Sequence, residues 1–284
     1  MKLSLIIVTY NSYKYIQKCI QSILDSIEPF DDYEIIIIDN NSKDNTIDIV
    51  NNFSNSKIKI LQSNDNIGYS AAVNKAIEGT KFEKILVLNP DTVILENGIV
   101  ELFERSNRND VGVVGAKLLN LDGTLQLSSR RHFPTLGILC SYVLRLNKIF
   151  NKSSFFGKYN YTYLDEDLET SVDSVSGACM MFSKKLFNSV DGFDEVFFIY
   201  FEDTDFCLKV KDVGLKVLYC PSAQIVHCND YLDNGPAKTF YFYRSFEKFI
   251  YKYKHKICLG VLVYYFAKLI NNIFQLKRRL LPVR

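Results

Sequence analysis

Ile85-Leu86-Val87-Leu88-Asn89-Pro90-Asp91-Thr92 is the stretch from which the rest of the chain is best read. Four apolar, partly β-branched residues make a buried strand, which stops at Asn-Pro-Asp because proline cannot donate into a central ladder. Asp91 is thereby delivered at the carboxyl end of a strand, the edge where open α/β sheets bind ligands. A hard divalent cation takes oxygen ligands there, the more so if it also grips a diphosphate. The commonest use of such residues is a plain Pro-Asp turn. The functional reading therefore rests on the surroundings.

Upstream, the pattern alternates between periods 2 and 3.6. Leu3–Val8 is a buried strand, and Ser12–Ile27 a helix capped by Asn11 or Ser12. Tyr33–Ile38 is a second strand ending in Asp39-Asn40-Asn41-Ser42, and a helix over about 44–53 precedes a third strand, Ile58–Leu61. After the turn Asn64–Gly68 comes a helix, Tyr69–Glu78, closed by Gly79. Strand and helix alternating through short joins means parallel βαβ units with helices on both faces. The expected fold is therefore α/β, with a Rossmann-like, mostly parallel central sheet. Neither G-x-G-x-x-G nor a P-loop is present, which argues against dinucleotide redox and P-loop chemistry. Polar residues instead mark three successive strand ends, Thr9-Tyr10-Asn11, Asp39–Ser42 and Asn89-Pro90-Asp91. Aligned on one edge, they would offer hydrogen bonds to a base and ribose and a carboxylate to a metal.

The chain has 284 residues, 48% of them hydrophobic, and a net charge of +2 that is unevenly spread. From Arg244 onward ten Lys or Arg face one Glu, leaving a mildly acidic body with a basic tail. That balance argues against general nucleic-acid binding and suits a tail that meets an anionic surface. Seven cysteines without C-x-x-C or metal-knuckle spacing fit a reducing compartment. The opening apolar run is too short for a signal peptide, which points to a cytoplasmic chain.

Beyond Asp91, Asn97–Ser106 reads as a helix, Val111–Leu119 as a strand and Asp122-Gly123 as a hairpin turn. Arg130-Arg131-His132-Phe133-Pro134 is a basic turn, residues 135–150 an apolar helix and 151–170 a surface loop, either a lid or disordered. A second acidic constellation, Tyr200-Phe201-Glu202-Asp203-Thr204-Asp205, opens a helix running to Gly214. Acidic residues there serve as caps. One carboxylate set among aromatic rings also suits a general base. His227 follows an apolar run. Lone histidines are usually structural, yet histidine is also well suited to complete an Asp-bound metal site.

Together Leu5–Asn11, Ile38–Ser42, Asn66-Ile67-Gly68-Tyr69, Leu88–Thr92, Ser176–Cys179, Gly192-Phe193-Asp194-Glu195, Tyr200–Asp205 and His227 resemble the family 2 glycosyltransferases, most closely the rhamnosyltransferase-like branch. The resemblance covers about residues 1–230. It implies a GT-A fold and inverting sugar transfer from a nucleotide-diphosphate sugar, with Mg²⁺ or Mn²⁺ as cofactor. Thr9 and Asp39 would then hold nucleobase and ribose, within a nucleotide-sugar-binding set of Thr9, Tyr10, Asn11, Asp39, Asn41, Asn66, Gly68, Asn89 and Asp91. Asp91 would bind the metal, with Asn89 standing where the D-x-D motif has its first Asp, and His227 would share that metal. Asp203 would be the catalytic base, with Glu202 beside it and Asp205 the third candidate. Gly177, Ala178, Arg130 and Arg131 would face the acceptor, the arginines contacting phosphate of the donor or of a lipid-diphosphate acceptor. The arginines read equally as surface residues. The expected product is a surface polysaccharide, its acceptor a glycan or lipid-linked glycan, and its leading donor dTDP-rhamnose, with a UDP-sugar as alternative.

The expected division is a catalytic domain over 1–235, split near 115 into a nucleotide-sugar half and an acceptor half, and a helical, basic-aromatic extension over 236–284. The longest uncharged run of the extension, Ile257–Ala267, has 11 residues, against the ~20 needed to span a bilayer. Lysines flanking aromatics suit a segment lying on an anionic membrane, which would make the protein peripheral. The alternative is packing on the body or on a second copy in a homodimer. A nucleotidyltransferase is disfavoured because residues 9–12 lack a Gly-rich loop with Arg and Lys for a triphosphate. A non-catalytic glycan-binding or scaffold protein is disfavoured by the acidic residues and histidine being intact together.

Overall fold

The computed structural model describes residues 1–135, 137–138, 141, 146–150, 152–228, 236–257 and 260–280. The first half folds as β1 (Lys2–Thr9), α1 (Ile16–Ser26), β2 (Asp32–Asp39), α2 (Thr46–Asn51), β3 (Ile58–Gln62), α3 (Tyr69–Glu78) and β4 (Lys84–Leu88). These strands lie parallel in the order β3-β2-β1-β4. Leu5 and Ile7 pack with Ile16 and Ile20 of α1 on one face, and Ile6 and Val8 with Ala72 and Val73 of α3 on the other. Burial on both faces is why these strands read as unbroken apolar runs.

The second half adds β5 (Thr92–Ile94), α4 (Gly98–Ser106), β6 (Val111–Leu119), β7 (Arg130–Arg131), α5 (Leu146–Ile149), β8 (Thr170–Val172) and β9 (Ser174–Val175). After these come β10 (Cys179–Ser183), α6 (Lys184–Ser189), α7 (Glu202–Asp212) and β11 (Lys216–His227). The sheet continues from β4 through β10, β6 and β11 to β5, with β8 also on β11, while β7 and β9 form a separate ribbon. β10 runs antiparallel to both neighbours, so the added part of the sheet is mixed.

Two registers decide the site. Cys179 lies opposite Leu88, and Asn89 N donates to Ala178 O, so Gly177-Ala178 sits beside the end of β4. His227 lies opposite Thr92, and Cys228 N donates to Asp91 O, so the end of β11 meets the residue after Pro90.

Several local expectations are corrected. α1 begins at Ile16 without a side-chain cap. Asn11 and Ser12 are occupied elsewhere: Lys43 N donates to Asn11 Oδ1, and Tyr10 N donates to Ser12 Oγ. The loop expected as a lid or as disorder is tied down at its carboxyl end, over 166–169, by paired charges. Lys117 binds Glu166 and Asp167, and Arg105 and Arg108 bind Glu169. Of the apolar helix expected over 135–150, only part falls within the described residues. The expected domain boundary at 235 lies outside them.

At the carboxyl end, α8 (Pro236–Tyr253) and α9 (Gly260–Leu280) pack on the body. Phe246, Phe249, Ile250 and Tyr253 of α8 share a buried cluster with Phe197 and Phe201, just before α7, and with Val263 and Ala267 of α9. No helix among the described residues is long and apolar enough to cross a membrane.

Candidate active site

The carboxyl ends of β1, β2 and β4 form one wall. Thr9 and Asp39 are paired in register, and Thr9 Oγ1 donates to Asp39 Oδ1 at 2.8 Å. Ser42 N donates to Asp39 Oδ2 at 2.9 Å, and Asn11 N donates to Ser42 Oγ at 2.8 Å. Asn11 and Asn41 both adopt positive φ, a conformation asparagine tolerates. Asn41 Nδ2 reaches Asn64 O, and Asn66 Oδ1 accepts from Gly68 N. Asn66 thus shapes the turn that Gly68 closes. Gly68, at φ +88°, is required: a Cβ there would lie 2.8 Å from Phe198 O.

Asp91 is 1% exposed, and neither carboxylate oxygen accepts a hydrogen bond. His227 Nε2 lies 3.3 Å from its Oδ1, and Asn89 Nδ2 lies 3.5 Å from the same nitrogen. The tautomer follows from Gln126. Gln126 Nε2 donates to His227 O at 2.6 Å, so its Oε1 must be the atom 2.9 Å from His227 Nδ1. An amide oxygen only accepts, so Nδ1 carries the proton, and in the neutral ring Nε2 is the bare nitrogen facing Asp91. A buried carboxylate with no donor is costly unless a cation meets it. A carboxylate oxygen and a bare imidazole nitrogen are a donor set for a divalent metal. Asp91 and His227 therefore fit a metal, as two protein ligands that leave positions for other oxygens. No group of three or more His, Cys, Asp or Glu poised to hold a metal occurs among the described residues.

The three acids opening α7 have different environments. Asp203 Oδ2 accepts from Arg131 Nη2 at 2.5 Å and Gly177 N at 2.9 Å, while Oδ1 accepts from Thr204 N and Oγ1. The Asp203 carboxylate outweighs burial and holds the Arg131 guanidinium above its ordinary range. Glu202 is buried with Oε2 unpartnered. Burial first, and the Asp203 charge second, push it up to about 8. Asp205 is wholly buried and turned towards α8, where its Oδ1 accepts from Lys252 Nζ at 2.6 Å and Tyr253 OH at 2.7 Å. Tyr69 joins the two regions. Its OH donates to Gly177 O at 3.0 Å, and burial and then the Glu202, Asp203 and Asp91 charges raise its phenol well above the ordinary range.

A model of glycosyl transferase family 2 matches residues 4–191. The chain belongs to that family. It is 27% identical over 238 residues to the N-acetylglucosaminyl-diphospho-decaprenol L-rhamnosyltransferase of Mycobacterium tuberculosis, covering 79% of this chain and 75% of the relative. An uncharacterized Sinorhizobium fredii protein, y4gI, is 26% identical over 231 residues, and there the match spans 79% of this chain but only 24% of the relative. In three dimensions the chain resembles the mannosyltransferase PcManGT from Pyrobaculum calidifontis, whose structure was solved with GDP-Man and Mn²⁺. The TM-score is 0.63 at 14% identity, covering 99% of this chain and 76% of that one. Such a likeness shows the GT-A fold.

Within this family 2 site, Gln126 and Tyr69 are additions that sequence reading did not single out. Tyr69 lay in a quoted motif but had no role, and Gln126 lay in no motif. Arg130, expected to face an acceptor or the surface, is corrected. It is 1% exposed, its guanidinium donates to the carbonyls of Tyr161, Leu164 and Asp165, and it sits over the Tyr219 ring. Burial keeps its guanidinium from a substrate. Arg131 is half-buried and faces Asp203.

Two stability effects follow. A carboxyl raised from 4.5 to about 8 on folding contributes stability in full below about pH 4.5 and loses it as pH rises through 8. Glu202→Gln removes that titration. The variant should be about 4 kcal/mol more stable than wild type at pH 8 and no different near pH 4, read as thermal melts across pH. Lys252→Ala strips one partner from the buried Asp205 carboxylate. Tyr253 remains, as does Lys209 at 3.6 Å. The loss should therefore be about 2 kcal/mol, below the full cost of breaking a buried pair, and denaturant unfolding reads it.

Proposed function

We propose that the chain is an inverting, metal-dependent glycosyltransferase that moves a sugar from a nucleotide-diphosphate donor to a glycan acceptor. The observation that carries this reading is the donor-free Asp91 carboxylate facing His227 Nε2, on the edge that also holds Gly177 and the Asp203 it binds. Thr9 and Asp39 would hold base and ribose, with Tyr10, Asn11, Asn41 and Gly68 shaping that end. Asp91 and His227 would hold Mg²⁺ or Mn²⁺, which when bound supplies a Lewis acid for the leaving diphosphate.

Asp203 is assigned as the base. Asp203 is the carboxylate ion-paired with Arg131, whereas burial and the Asp203 charge push Glu202 up, towards its protonated form. An acceptor hydroxyl reaches Oδ2 by replacing one of its donors. Arg131 Nη2 can yield without being orphaned, because it also donates to Val175 O at 3.0 Å. With the base on the face opposite the leaving group, attack inverts the anomeric carbon.

The rhamnosyltransferase relative favours rhamnose as the sugar and a lipid-linked diphospho-sugar as acceptor, and dTDP-rhamnose is the leading donor. A lipid-linked acceptor calls for membrane contact, and α9 supplies a surface for it. Val261, Leu262, Tyr265, Phe266 and Leu269 are exposed along that helix, with Lys268 among them. Leu262→Glu with Phe266→Glu should abolish co-sedimentation with anionic vesicles and leave nucleotide binding intact. Unchanged sedimentation would remove the membrane from this reading. The reaction itself is tested by incubating the purified protein with a panel of dTDP-, UDP- and GDP-sugars and Mn²⁺ or Mg²⁺. Metal-dependent release of nucleoside diphosphate from one donor is expected, and release from none would overturn the proposal.

A further inference from the structure

The residues just before α7 are bent in an unusual way. Tyr200 and Phe201 both adopt φ near +70°, two consecutive non-glycine residues in the left-handed region. Such conformations cost about 1–3 kcal/mol each and persist only where the surroundings impose them. Here Phe201 is driven into the cluster of Phe246 and Phe249 on α8. Tyr200 is half-buried next to the carboxylates, its phenol raised to about 12 by burial and then by the Glu202 charge.

Around Tyr200 lies a run of rings that the assigned chemistry does not use. Phe198 stacks on Tyr241 of α8 with centroids 5.1 Å apart and planes at 18°. Tyr200 meets Phe242 of α8 at 6.0 Å, edge to face. Phe242 is 38% exposed, and Phe198, Tyr200 and Tyr241 are half-buried. α8 is fixed against the loop at three successive turns. Ser245 Oγ donates to Ile199 O, Lys248 Nζ to Val196 O, and Lys252 Nζ and Tyr253 OH to Asp205. The rings of α8 are therefore held rigidly relative to Glu202 and Asp203.

We propose that Phe198, Tyr200, Tyr241 and Phe242 form a stacking platform for a pyranose ring of the acceptor, so that α8 builds the acceptor wall of the catalytic cleft. This rests on the glycosyltransferase reading and extends it to the acceptor side. The chemistry selects a sugar. Axial C–H bonds make one face of a pyranose weakly positive, which suits the negative face of an aromatic ring, while its rim of hydroxyls suits phenols. Tyr200 lies two residues before Glu202 and feels its charge, so the platform begins beside the carboxylates. A lipid chain would gain nothing from a ring run leading to two buried acids.

The test uses the full chain with UDP or dTDP and Mn²⁺ present. Methyl glycosides of glucose, galactose, N-acetylglucosamine and rhamnose are titrated by saturation-transfer NMR. At least one should bind, with its ring C–H protons saturated. Tyr241→Ala and Phe242→Ala should each weaken it about tenfold, Phe242→Tyr should restore it, and nucleotide binding should not move. Thermal melts confirm that the variants fold. Binding of no glycoside, equal glycoside binding by the alanine variants, or loss of anionic-vesicle sedimentation instead of glycoside binding would each overturn the proposal. The last outcome would give the surface to lipid. Failure of wild type to bind either nucleotide would strike the glycosyltransferase reading instead, leaving the glycoside titration to judge the platform separately.

Discussion

Asp203→Asn is expected to lower sugar transfer by more than a hundredfold while nucleotide binding stays within twofold of wild type. General-base catalysis contributes about 10²–10⁴-fold, and the amide has no basic oxygen to take the acceptor proton. The change is nearly isosteric: an amide oxygen in the Oδ2 position still accepts from both Gly177 N and Arg131, and the acceptor lost is the one facing Thr204. The loss should therefore appear in kcat rather than as a folding defect. Donor hydrolysis by water gives a second readout, since it shares the leaving-group chemistry but not the acceptor. Steady-state kinetics with the best donor check the result, and turnover equal to wild type would transfer the assignment to Glu202. Glu202→Gln separates the two residues further. It should retain measurable transfer and gain stability at pH 8, because it removes a carboxyl that folding holds protonated.

What the sequence disclosed and what it hid follow from the range of the interactions involved. Leu5–Val8, Ile35–Ile38 and Ile85–Leu88 were legible as strands because burial on both faces leaves unbroken apolar runs. The acids and His227 stood out because strand ends and helix starts place polar groups at predictable points. Their convergence was not legible from spacing. It depends on His227 falling opposite Thr92 and on Ala178 O meeting Asn89 N, registers that span more than 80 residues. Gln126 was invisible for the same reason, as its role exists only once the ring and carbonyl of His227 lie against it. Arg130-Arg131 misled because a basic pair next to His and Pro has the composition of a surface turn. In the fold, the carbonyls of 161, 164 and 165 enclose one guanidinium and Asp203 claims the other. The polar stretch 152–169 misled by composition too, since Lys117 and Arg105, which tie down its carboxyl end, lie on β6 and α4.

Asp91→Ala is expected to abolish the Mn²⁺-dependent part of nucleotide-diphosphate binding and to leave the metal-independent part, held by the Thr9–Asp39 end, near wild type. The reasoning is electrostatic. A carboxylate 1% exposed with no hydrogen-bond donor is costly unless a cation meets it. In the absence of metal the same group is a liability, so Asp91→Ala should melt higher than wild type in chelator and lose the wild-type gain on adding Mn²⁺. Those two melts read metal binding without reference to turnover. Gln126→Ala extends the test to a residue that would not touch the metal. Without Gln126 Oε1 the Nδ1 proton loses its acceptor, and Nε2 is no longer kept as the bare nitrogen facing Asp91. Outer partners of ligating histidines are worth about 10–100-fold in metal affinity, and a loss in that range by calorimetry is expected. Mn²⁺ affinity unchanged in both variants would place the metal elsewhere and leave the buried Asp91 carboxylate without a physical reason.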